Sequence, residues 1–522
     1  MSGLDIVGVA LLLAILLTPV SGLVSGLLLR RYAARIASLT GQQRRRRKSD
    51  PSHSGRSIRQ TFDGDGDPPV QALALARGRH NVRLHLLAST AAAVAAAAIF
   101  LLAIVRVGPT PDQQTGGLGL NYQTITLFVL IALTFATPML VIAPVVHPPG
   151  RGRAWLGAGS WLAVVVLLIT FGQGSHHQNP VLLFLIVVVP SALPAVAIVA
   201  LTGRRGLRGV GWLLAPSVTA VIFDLACVYP VVAGARPGPL VAVALGFTLI
   251  TTLFSATIWG AYRRGRLSDH GILALLVWFY ETVVLVYFSA LSGADDARIL
   301  WSLVPFVVFA SILLVGFGAA RHRSVQTPRH VLLLRSFALQ RASVRLLREL
   351  EVYWRYIGSV LLIGGTDLAA ETLEPDELVD WLAGRIRSRV IAEPAEVPGR
   401  LAGLSLVPDD EGRYRVHDLV CADAAWKAAC NAAMELVSAV VIDIRGLAGP
   451  TSGLAWEIEV LSTIPPSVVV AVVWPDTDPA FLTPLRLAGH HVVSVASGER
   501  DLRAREVLAV LAAATERLGL VS

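Results

Sequence analysis

Apolar positions along this chain follow two different rules. Up to about residue 330 they form long unbroken blocks; beyond it they fall into short β-branched runs separated by amphipathic stretches. Nine blocks are long enough to cross a bilayer, which takes ~20 residues in a helix. They lie at approximately 4–29, 84–106, 122–146, 154–172, 180–202, 210–233, 239–261, 271–292 and 300–320. The first lacks a basic segment ahead of it and carries its arginines behind it. That pattern predicts a retained anchor and not a cleaved signal.

In the tail, candidate strands are VLLLR at 331–335, SVLLIG at 359–364, AVVIDIR at 439–445, SVVVAVV at 467–473 and HVVSVA at 491–496. Helical periodicity fills 338–356, 375–389, 423–437, 453–462 and 500–518. Continuous apolar strands alternating with helices predict a mainly parallel sheet covered on both faces. The expected fold is therefore an α-helical polytopic membrane domain of about nine transmembrane helices followed by an α/β domain. By residue number this gives an N-terminal transmembrane anchor at 1–30 and a basic, flexible linker at 31–83. An eight-helix transmembrane domain at 84–323 and the α/β domain at 324–522 follow.

Charge sharpens this division. The chain of 522 residues is 54% hydrophobic and 16% charged, with a mean hydropathy of +0.62 and a net charge of +9. Soluble domains carry ~25% charged residues, so an ordinary soluble enzyme is excluded. Residues 331–522 hold 18 Lys and Arg against 25 Asp and Glu, leaving 27 against 11 in the first 330. The basic residues cluster in alternate loops: Arg30 to Lys48, Arg151 and Arg153, Arg204 to Arg208, Arg263 to Arg266, and Arg321 with Arg323. The loops between them are poor in positive charge. The positive-inside rule then predicts a multi-pass protein of the cell membrane, its N-terminus outside and its α/β domain cytoplasmic. The run Arg44-Arg45-Arg46-Arg47-Lys48 is a juxtamembrane contact for anionic lipid in this reading, and no nucleic-acid partner is expected. Cys227, Cys421 and Cys430 show no metal-ligand spacing, so no metal site is predicted. Two acids fall inside predicted spans, Asp224 and Glu281. They mark either a proton, cation or polar-ligand site or hydrogen bonding between helices.

Ligands of an open parallel sheet bind beyond the carboxyl ends of its strands. The ligand-binding candidates are therefore Arg335 and Ser336, then Gly364 and Gly365, then Asp443 with the segment that follows it. In that segment Thr451 or Ser452 caps a helix, and Gly453, Trp456 and Glu457 fall in its first turns. A carboxylate there is placed to attack or stabilise a sugar C1 during glycosidic cleavage, which makes Glu457 the catalytic candidate. The alternative is that Glu457 is a solvated helix residue and Trp456 a packing aromatic. No GxGxxG, GxxxxGK[ST] or HExxH occurs, so dehydrogenase, P-loop and zincin chemistry find no support.

An apolar strand ending in Asp443, a loop, and then Ser452-Gly453-Leu454-Ala455-Trp456-Glu457 resembles the TIR-like and nucleoside 2-deoxyribosyltransferase-like superfamily. The resemblance implies a Rossmannoid domain, with Glu457 acting on the N-glycosidic bond of NAD or a nucleoside. It also implies that Ser452 and Gly453 line the ribose pocket and that the domain works as a homo-oligomer. The tail is similar as well to those of bacterial multi-span membrane proteins that begin Leu-Arg-Ser-Phe (Leu334 to Phe337) and end Gly-x-x-Trp-Glu (Gly453 to Glu457). The function expected is sensing or signalling at the membrane through binding or cleaving NAD or a nucleotide. A transporter or channel with a regulatory tail, and a non-catalytic membrane scaffold, are the alternatives.

Overall fold

The computed structural model describes residues 23, 26–40, 69–107, scattered helical positions between 125 and 139, 237–291, 301–321, 328–335, 346–347, 350–364, 372–446, 453–464, 468–473, 482–496, 507, 510 and 511. The predicted spans at 154–172, 180–202 and 210–233 lie outside the described residues, as does nearly all of that at 4–29. The chain divides into two compact units, 1–26 with 78–321 and 27–77 with 322–522.

Among the described residues the first unit holds α1 (Pro69–Val107) from residue 78 onward, α2 (Pro237–Arg263), α3 (Asp269–Leu291) and α4 (Val304–Arg321), beside the helical positions between 125 and 139. The helices α1 to α4 cover the predicted spans at 84–106, 239–261 and 271–292, and most of that at 300–320. The helix α3 begins where the sequence provides a cap, the Gly271 N–H donating to Ser268 Oγ at 2.7 Å with Asp269 in the first turn. Ala88, Ala92, Ala93, Ala96 and Ala97 of α1 are buried, and such small residues let neighbouring helices approach closely. Trp278 of α3 stacks on Phe309 of α4 at 5.4 Å and donates its indole N–H to Ser89 of α1 at 2.9 Å. Outward faces are apolar too: Leu245, Leu249 and Leu253 of α2, four residues apart, and Leu314 and Val315 of α4 are exposed. Among the described residues one helical stretch, Ala76–Ile99, is long and apolar enough to cross a membrane, and Val304–Ala319 is a shorter apolar helix.

The second unit is an α/β domain around a six-stranded, wholly parallel sheet. Its strands are β1 (Val331–Arg335), β2 (Val360–Gly364), β3 (Val416–Val420), β4 (Ala439–Asp443), β5 (Val468–Val473) and β6 (His491–Ala496). Five of them are the predicted runs. The sixth, β3, was not expected, because VHDLV interleaves His417 and Asp418 with apolar residues and sits at the sheet's edge. The strand order is 3-2-1-4-5-6, the doubly wound arrangement of Rossmann-type domains.

Side-chain alternation in the strands builds two cores. Val331, Leu333, Val360, Val441 and Val470 face one layer with Leu346, Leu350, Trp354 and Val507. Leu332, Leu334, Leu361, Val440 and Val469 face the other, with Cys430 of α7 (Trp426–Glu435) and Leu454 and Ile458 of α8 (Gly453–Leu461). Two further helices, α5 (Pro375–Leu382) and α6 (Val397–Ala402), precede β3. Pro375 and a reciprocal Glu374–Glu377 capping box start α5. Gly384 ends it at φ +76°, with Arg385 N–H donating to the Asp380 carbonyl and Gly384 N–H to that of Trp381. The predicted helix 375–389 is thereby cut at its middle, and its remainder is a short 3-10 turn, Ile386–Arg389.

Two further described pieces belong to this unit, residues 27–40 and residues 69–77 of α1. Residues 26–40, assigned by composition to the end of the anchor and the start of the linker, are helical. Leu29, Tyr32, Ile36 and Thr40 form a buried stripe at helical spacing, and Tyr32 meets Trp381 of α5 edge-to-face at 6.0 Å.

Candidate functional site

Where the strand order reverses, between β1 and β4, the chain leaves the two strands toward opposite layers. Leu346 and Leu350, which follow β1, pack into one core, and Leu454 and Ile458, which follow β4, pack into the other. In doubly wound sheets ligands bind beyond the carboxyl ends of the strands at such a point of reversal. Arg335 is the last residue of β1, Asp443 the last of β4, and the two are register partners. Arg335, Asp443 and Glu457, candidates from separate stretches of sequence, are thus gathered at this edge.

Asp443 is fully committed to a neighbour. Its Oδ1 accepts from Arg445 Nε and its Oδ2 from Arg445 Nη2, each at 2.8 Å, and both side chains are wholly buried. This two-pronged bond fixes the turn after β4. It was not legible beforehand, although an Asp-x-Arg spacing directly after a strand is the signal that carries it.

Glu457 lies one turn into α8 and is 6% exposed. Its Oε2 is buried without a hydrogen-bond partner. Burial pushes its carboxyl up to about 8, and the Arg335 guanidinium opposes that rise. At neutral pH the group is therefore mainly the un-ionised acid, a hydrogen-bond and proton donor rather than a nucleophile. Cys430 of α7 stands close enough for Glu457 to act on it electrostatically, and burial raises both Cys430 and Cys421, the latter to about 12. Both are free, inert thiols in the core.

Trp456 does pack, but in a distinctive setting. It meets Trp426 edge-to-face at 4.8 Å, and the Lys427 ammonium lies 5.0 Å from the Trp456 ring centre and 5.9 Å from that of Trp426. A side chain at Gly453 would touch Trp426 at ordinary contact distance, so this half-buried aromatic pair borders the start of α8.

Gly364 has a different reason to be glycine. It ends β2, one strand away from the point of reversal, and a Cβ there would overlap the carboxylate of Asp418. That carboxylate accepts from Thr372 Oγ1 at 2.6 Å. Nearby, Arg389 is bonded to both Asp376 and Asp380, and burial with the charges of Asp376 and Asp418 lifts Glu377 to about 8. Ser336, Gly365, Ser452 and Asp224 lie outside the described residues, while Glu281 is buried in α3 of the helical unit. Among the described residues no group of three or more His, Cys, Asp or Glu side chains is placed to hold a metal ion.

No protein-family model, curated protein or solved structure matches the chain.

Proposed function

We propose that this chain is a multi-span membrane protein whose cytoplasmic, TIR-like α/β domain binds NAD or a related nucleotide beyond the carboxyl ends of β1 and β4, and signals through that binding. The observation that carries the reading is a buried Glu457 whose Oε2 has no hydrogen-bond partner, under the electrostatic influence of Arg335, near the switch point of a doubly wound sheet. Arg335 supplies the cation for a phosphate. The un-ionised Glu457 donates a hydrogen bond to a ribose hydroxyl; in turnover the N-glycosidic bond pair would leave with neutral nicotinamide while water bonds to the ribose C1 and gives its proton to solvent. The Trp456–Trp426 pair offers aromatic surface beside the start of α8.

Membrane residence is supported by the apolar outer faces of α2 and α4, which hydrocarbon solvates and water does not. It is supported further by the alternation of basic and charge-poor loops across the nine predicted spans. The full chain in lipid nanodiscs, titrated with NAD, is expected to bind it saturably. Arg335→Ala loses that binding, and Glu457→Gln loses any release of nicotinamide. A wild-type chain that binds neither NAD nor AMP saturably refutes the nucleotide reading.

A further inference from the structure

The middle of α3 is tightly organised around the packed helices. Trp278 is wedged between Phe309 of α4 and Ser89 of α1, Phe279 stacks against Phe254 of α2 at 6.5 Å, and Thr282 Oγ1 donates back to the Trp278 carbonyl at 2.7 Å. Each of these side chains makes the contact that accounts for its presence. Glu281, in the same turn, does not. It is 1% exposed, and neither carboxyl oxygen has a hydrogen-bond partner. Among the described residues no Lys or Arg forms an ion pair with it, and the neighbour that feels its charge is Tyr280 on the same helix.

A bare carboxylate so placed is an uncompensated charge in an apolar medium, so the group is the acid, COOH. A polar residue between packed helices that served only to join them would hydrogen-bond across the interface. Among the described residues Glu281 forms no such bond, and it contributes nothing to packing that Leu or Met would not contribute better. What the carboxyl has that those side chains lack is a proton.

We propose that Glu281 is a proton-binding site inside the helical unit, holding a proton that exchanges with water. The inference rests on the membrane reading above but is independent of the nucleotide site.

The test is infrared spectroscopy of the full chain in lipid nanodiscs at neutral pH, comparing wild type with Glu281→Gln. The expected result is a carbonyl band of an un-ionised carboxyl group in the wild type that is lost in Glu281→Gln. Transfer to D2O is expected to shift that band to lower frequency, as an exchangeable proton requires. Glu281→Asp should keep a band at a displaced frequency, which covers the case in which the Gln variant does not fold. A difference spectrum without the band means an ionised group, and a band that does not move in D2O means a sealed structural acid; either overturns the proposal. Carbonate extraction of membranes separates the two readings. A chain released by carbonate contradicts the membrane reading, whereas a retained chain without the exchangeable band contradicts the Glu281 site alone.

Discussion

Replacing Glu457 by Gln keeps the shape of the side chain and removes its ability to ionise. In the folded domain this carboxyl holds its proton up to about pH 8 because it is buried, against 4.5 for the free group. The folded state therefore binds more protons than the unfolded one between those limits. Stability is lost as pH rises from about 4.5 to 8 and is flat above. At ~1.4 kcal/mol per pKa unit, the loss amounts to roughly 4–5 kcal/mol once pH exceeds 8, and about 3 kcal/mol at pH 7. Glu457→Gln removes that penalty, so the variant is more stable than wild type at pH 8.5 and nearly equal to it at pH 4.5. Hydrogen exchange of the full chain, read on peptides from β4, β5 and α8, measures the difference locally without requiring the whole chain to unfold in two states. At pH 8.5 the variant should exchange up to about three orders of magnitude more slowly where opening exposes α8. Exchange that is unchanged, or faster, at pH 8.5 would refute the claim that Glu457 is held as a buried acid. Groups that cost stability in this manner concentrate at functional sites, which is why the same carboxyl is assigned the chemistry.

Other substitutions test neighbouring parts of the account. Arg335→Met removes the cation that opposes the rise at Glu457, so the pH at which α8 loses protection should move upward in hydrogen exchange of the chain without nucleotide. Asp443→Asn strands Arg445 in a wholly buried position and should cost ~3–5 kcal/mol in denaturant unfolding of the tail, with Asp443→Asn/Arg445→Met costing less than either change alone. Gly364→Ala forces Asp418 away from Thr372 and should destabilise by ~1–3 kcal/mol, measured as increased exchange in β2 and β3. Tyr32→Ala empties a buried site and removes the Trp381 contact. It should cost ~3–5 kcal/mol, and a tail expressed without residues 26–40 should be aggregation-prone for the same reason.

How much of this was visible in the chain itself depends on how local each feature is. The strands β1, β2, β4 and β5 are buried on both faces and announce themselves as unbroken apolar runs, and β6, half-buried at the far edge, keeps a mainly apolar one. The strand β3 lies at the edge, and its half-buried His417 and Asp418 break the pattern. Without it the remaining strands fall in the order 2-1-3-4-5, the flavodoxin-like arrangement, so one missed edge strand changes the apparent topology without moving the switch point. That is why Arg335, Asp443 and Glu457 could be singled out from position alone. The commitment of Asp443 to Arg445, and the reason Gly364 lacks a side chain, depend on neighbours across the sheet or turn, which spacing does not encode. The helix at 26–40 was hidden for another reason. Its buried stripe continues an apolar block and is interleaved with Arg30, Arg31 and Arg35, so it reads as the end of an anchor followed by a basic loop.

The central claim is that a nucleotide sits beyond the carboxyl ends of β1 and β4. Its most direct test is the hydrogen-exchange footprint of NAD on the full chain in nanodiscs. Protection confined to the ends of β1 and β4 and the first turns of α8, and lost in Arg335→Ala, is the predicted result. Protection elsewhere in the domain, or none at saturating NAD, would contradict it.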